Sequence, residues 1–173
     1  MTLSTYQATV PTFLQVLSPI AALVDKARAH CAATGMSEEA LCGTRLAPDM
    51  WPLAKQVTAT CRHSAGAIAA ITSGETGPDL SPAPTDFAAL AAQVAAAIAA
   101  LQAADADQIN AAASGDVVFK MGERQMVFTG PDYLMTFALP NFYFHAAMAY
   151  AILRSQGLEI GKRDFLGALR TKP

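Results

Sequence analysis

The chain has 173 residues, 53% of them hydrophobic, and a formal charge of −2. That length fits a single domain spanning 1–173 with room for a substantial core, and the slightly negative balance, with no Lys/Arg run, argues against a nucleic-acid partner. Polar groups interrupt the apolar runs well short of about 18 residues, which argues against a membrane span.

In chain order, MTLSTYQATVPTF lacks the basic start and apolar block of a secretion signal. From Val10 to about His30, the residues Phe13, Leu17, Ile20, Val24 and Ala27 recur at three- and four-residue steps, the period of an amphipathic helix. Pro11 suits its first turn, Gly35 follows its end, and Pro19 should bend or break it for want of an amide proton. MSEEALCGTRLAPDM reads as a connection holding one short helical turn. A second helix should begin at Asp49 as N-cap, with Pro52 in its first turn, and run to about Ser73. The segment GETGPDLSPAP, rich in Pro and Gly, then reads as a loop. Thr85-Asp86 opens a third helix striped by Phe87, Leu90, Val94, Ile98 and Leu101, with alanine over most other positions.

DVVFKMGERQMVFTG reads as a short hairpin turning at MGER, with Glu123 and Arg124 as turn residues. Thr129 with Asp132 resembles a capping box, and Pro131 sits in the first turn of a fourth helix that continues to about Gln156, where Gly157 stops it. GLEIGKRDFLGALRTKP adds at most one short turn, its charges fastening the tail to the bundle or, through Lys162 and Arg163, meeting an anion. Four long helices with one hairpin before the last make an all-α bundle.

On the fourth helix Leu134, Phe137, Asn141, His145, Met148 and Ile152 share one face. Its flanking members are apolar, so Asn141 and His145 should point inward, just past a kink at Pro140. The opposite side carries Tyr133, Tyr143, Phe144, Tyr150 and Leu153, and a helix apolar all round is buried on more than one side. A second copy of the chain is the expected cover, which predicts a homodimer. On the second helix Gln56, Thr60 and His63 lie at i, i+4 and i+7, with Gln56 deepest between Leu53 and Val57. His63, beside Arg62 and Ser64, and His30 read as solvated surface histidines.

Two readings of His145, Asn141 and Gln56 stand open. One is a buried hydrogen-bonded cluster, kept paired because an unpaired group costs about 1–3 kcal/mol. The other is a ligand site for a small polar molecule, with His145 as the candidate catalytic group or metal ligand. Cys61 reads as a small core residue with no basic partner to activate it. Cys31, Cys42 and Cys61 show no CxxC spacing, and an odd count closes no disulfide framework, so reduced thiols in a cytoplasm are expected.

The segments RLAPDMWPLAKQV, FTGPDYL, ALPNFYFH, AYAILR and GKRDFLG resemble an uncharacterised bacterial "domain of unknown function" family grouped with the DinB/YfiT-like four-helix bundles. The likeness runs from STYQATVPTFL to GKRDFLG. It implies an up-down-down-up bundle, often dimeric. It also implies, in many members, a divalent metal held by one histidine of the second helix and an HxxxH pair of the fourth. Some members are thiol-dependent transferases or isomerases. Here the i,i+4 pair is Asn141 and His145, and Gln56 stands where the second-helix histidine is expected. One imidazole and two amides are a degenerate ligand set, in which tight Zn²⁺ or Ni²⁺ binding is not expected unless Asp49 or His63 is brought in.

Overall fold

Ser4 starts the first helix. Its hydroxyl accepts from the Gln7 amide while the Gln7 side chain accepts from the Ser4 amide, a reciprocal capping box. In the computed structural model, which describes residues 3–172, helix α1 (Thr5–Thr34) then runs to Gly35, whose φ of 75° ends it. The expected start at Val10 is thus one turn late, and the expected break at Pro19 does not occur. The reason lies in the tail. Pro19 offers no amide to the Gln15 carbonyl, and the segment after α9 (Lys162–Leu166) covers that gap. Gln15 Nε2 donates to the Leu166 carbonyl at 3.2 Å. Gly167 packs so closely that a Cβ there would stand 2.5 Å from the Gln15 oxygen. Lys26 and Asp164 pair at 2.6 Å over the same junction.

By length and composition α1 qualifies as a membrane-crossing helix, which the interrupted apolar runs had not foretold. Its large apolar side chains are nevertheless spent in the core: Phe13, Leu17, Ile20 and Leu23 are all buried.

After α2 (Glu38–Gly43), the expected second helix is two. Helix α3 spans Leu53–Arg62 and α4 spans Ala65–Ser73, with a turn at His63-Ser64 between them. No Gly or Pro marks this break. Buried hydroxyls make it: Thr60 donates to the Gln56 carbonyl, and Ser64 to those of Thr60 and Cys61. Such bonds compete with the helical ladder. Pro52, rather than Asp49, precedes α3, and Asp49 is exposed.

Helix α5 (Phe87–Gln102) begins at Asp86 as expected and lays Phe87, Leu90, Val94 and Leu101 into the core. A short α6 (Ala106–Ala112) follows. The hairpin β2 (Asp116–Met121) and β3 (Arg124–Thr129) turns through Gly122, whose φ of 60° suits the first position of a type II′ turn. A two-residue strand, β1 (Glu75–Thr76), adds parallel to β2 from within the segment expected to be loop. Thr129 caps the single turn α7 (Gly130–Asp132). A π-helical stretch, Tyr133–Ala138, then leads into α8 (Leu139–Ser155).

Around the bundle α1 lies beside α5 and α8, and α3 lies beside the same two, so the fold is all-α with one small sheet at the side. The buried apolar side chains form one cluster drawn from all four long segments.

Candidate functional site

Helices α3 and α8 bring Gln56 and His145 together, with Gln56 Oε1 2.7 Å from His145 Nδ1. Chain connectivity fixes which atom donates. Gln56 Nε2 donates to the Trp51 carbonyl at 3.2 Å, so its Oε1 faces the imidazole and can only accept. His145 therefore carries its proton on Nδ1, and the Nε2 lone pair is free. His145 is 6% exposed. Among the described residues no fully enclosed side-chain nitrogen or oxygen lacks a partner, so Nε2 opens into space rather than against protein.

That space is a cavity of about 260 Å³ between α3, the start of α8 and the loop after β1. The π-helical stretch builds one wall. Tyr133, Phe137, Asn141 and His145 all line it at intervals of four. In a regular α-helix each interval of four advances the side chain by about 40° around the axis. The wider turn, in which the Leu139 amide reaches back to the Leu134 carbonyl, takes back part of that drift and keeps the four on one side. Pro140, which has no amide proton, follows immediately. The distortion expected at this proline is thus an i→i−5 turn upstream of it.

The opposite wall comes from α3 and the residue turn that ends it. Two rings lie nearly parallel to the His145 imidazole, Trp51 at 5.2 Å and 10° and His63 at 5.5 Å and 12°. His63 is therefore no solvated surface histidine: the break after Arg62 swings it into the cavity, where it also meets Phe137 edge-on. Burial lowers both imidazoles to about 4, and for His63 the neighbouring His145 and Arg62 charges add to the effect. Both are neutral at pH 7. Cys61 lies at the back of α3 with its thiol pushed up by burial to about 12, which makes it unreactive.

Asn141 lines the same cavity but is only half-buried, and its Nδ2 donates to the Phe137 carbonyl of its own helix at 2.7 Å. Of the three residues expected to cluster, Gln56 and His145 join directly and Asn141 stands beside them. His63 was expected at the site only if the fold brought it in, which it does, while Trp51 and Tyr133 were not foreseen; Trp51 at i−5 from Gln56 was the available signal.

The three-imidazole metal set implied by the family resemblance does not fit these residues. Among the described residues no group of three His, Cys, Asp or Glu side chains converges. His63 and His145 supply two imidazoles, their ring centroids 5.5 Å apart, and no third joins them among the described residues. Gln56, in the remaining position, spends its oxygen on the Nδ1 proton.

Comparison with known proteins places this geometry. No curated protein sequence matches the chain. Among solved structures, a DinB family member from Shewanella denitrificans is similar over 97% of this chain and 94% of its own, at 29% identity and a TM-score of 0.81. The model of a domain of unknown function, DUF1993, matches residues 5–166. A match over nearly the whole chain, on a bundle shared with a DinB family protein, makes this chain a member of the DUF1993 family.

Proposed function

We propose that the chain is a small-molecule-binding DinB-like bundle whose receptor group is the neutral imidazole of His145. The observation that carries this is the Gln56 contact, which fixes the Nδ1 proton and leaves Nε2 as a lone acceptor facing a 260 Å³ cavity. A cavity just under the usual ligand range, with aromatic rings among its walls and polar groups at its rim, takes a compact molecule that donates one hydrogen bond to His145.

The enzymatic alternative gives His145 a proton to abstract. At about 4 the imidazole is available but a weak base, some three units below the pH at which it would work best. Hydrogen-bond acceptance is the better use of this group, and the ligand set offers no metal-dependent transferase or isomerase route.

The test is a screen of single-ring fragments by NMR, following the His145 ring and Trp51 indole signals. Hits should move both together. If no fragment at millimolar concentration moves either, the cluster is a core hydrogen bond and the reading fails.

The π-helical stretch and α8 face outward in part with apolar side chains, among them Met135, Tyr143 and Phe144. We infer that a second copy of the chain covers this strip, since a self-complementary patch closes a two-fold dimer.

A further inference from the structure

The rim of the cavity carries a charge excess that the fold does not use up. Lys55 Nζ donates to the carbonyls of Asp79 and Ser81 at 3.0 and 3.1 Å. Arg62 Nη2 donates to Thr76 Oγ1 and the Gly77 carbonyl at 3.0 and 2.9 Å. All four acceptors are neutral. Among the described residues neither cation forms an ion pair; those pairs are Lys26–Asp164, Arg28–Asp25 and Lys120–Glu75. The rim's carboxylate, Asp79, accepts from the Ser81 amide at 2.9 Å, which with the nearby Lys55 and Arg62 charges lowers its pKa. Two cations, Lys55 half-buried and Arg62 exposed, thus stand against one carboxylate at the edge of a largely apolar chamber. Each cation keeps spare donors: Lys55 has used two of three, and Arg62 two of five.

The chamber has three chemically distinct parts: the cationic rim, the aromatic sides of Trp51, Phe119 and Phe137, and the His145 Nε2 acceptor at depth. We infer that the cavity binds a single-ring aromatic acid, its carboxylate at Lys55 and Arg62 and a hydroxyl donating to His145 Nε2. The inference rests on the small-molecule reading above and adds the ligand's class. A bare inorganic anion would leave the aromatic sides unfilled. A cationic ring would meet two like charges.

The experiment compares para-hydroxybenzoate with para-hydroxybenzamide, the neutral counterpart of the same shape, by calorimetry and by the His145 and Trp51 NMR signals. The acid should bind roughly tenfold or more tightly, the scale of one charge-assisted hydrogen bond. That preference should shrink with added salt. Arg62→Lys, which keeps the charge, should retain most of it, and Arg62→Gln should lose most of it. Because Arg62 also tethers the loop, the comparison within the unaltered protein decides. If the amide binds as tightly as the acid there, the acid inference is overturned while the cavity reading stands. If neither compound moves the His145 or Trp51 signals, the acid inference falls too, and the fragment screen alone then judges the cavity reading.

Discussion

The Trp51 indole lies within 10° of parallel to the His145 imidazole with centroids 5.2 Å apart, and His63 lies at 12° and 5.5 Å, so any proton added at Nε2 enters a site crowded by rings. Both histidines have native values near 4, below the ordinary 6.5. The unfolded chain therefore binds more protons than the native one between these values. Stability should be fully present above about pH 6.5 and fall as pH drops towards 4, by up to about 3 kcal/mol for the deeply buried His145. Thermal melts from pH 7.5 to 4 should show the decline, and His145→Phe should lessen it, leaving the share of His63. A melting temperature independent of pH in this window would contradict the burial of both rings as neutral species.

Gln56→Glu should raise the His145 value sharply, since a carboxylate beside Nδ1 favours the imidazolium. NMR titration of the ring should find its midpoint moved from about 4 to near or above 6.5. Gln56→Leu removes the acceptor altogether and should cost about 1–3 kcal/mol by leaving the Nδ1 proton unpaired.

Added Zn²⁺ or Ni²⁺ should leave the melting temperature unchanged. An ion bound to the native state at a hundredfold excess over its Kd would stabilise by about 2.7 kcal/mol, a shift of several degrees in a chain of this size. A rise of that order would show that the two imidazoles, His63 and His145, suffice to chelate.

At the tail, two substitutions should separate packing from charge. Lys26→Ala breaks an ion pair that is largely solvated and should leave the melting temperature nearly unchanged. Gly167→Ala puts a Cβ against the Gln15 oxygen at a φ of 65° and should cost about 1–3 kcal/mol. Paired thermal melts compare them directly.

Tyr143→Glu should convert a dimer to monomer in light scattering with helical content unchanged, since Tyr143 is 43% exposed in one copy. A wild-type protein already monomeric at high concentration would remove the second-copy inference.

The bundle was legible because its signals are local: the periodic apolar stripe of α5, the Asp86 and Thr129 caps and the Gly122 turn all act within a few residues. The pairing of Gln56 with His145 was legible from their apolar flanks. What escaped depends on distant partners or on competition within the backbone. Pro19 is tolerated because residues near 167 cover its neighbour, a contact no window around Pro19 contains. His63 looked solvated because Arg62 and Ser64 flank it, yet Ser64 is buried and its hydroxyl bonds to backbone carbonyls at the helix break. Trp51 precedes its helix, where periodicity is silent.

The extra residue that the π-helical stretch packs into its turn works as a shim. Deleting one residue between 133 and 138 would restore ordinary winding and swing Tyr133 and Phe137 about the axis, while His145, farther along α8, kept its grip on Gln56. The shape of the chamber and the chemistry of its acceptor are thus adjustable one without the other.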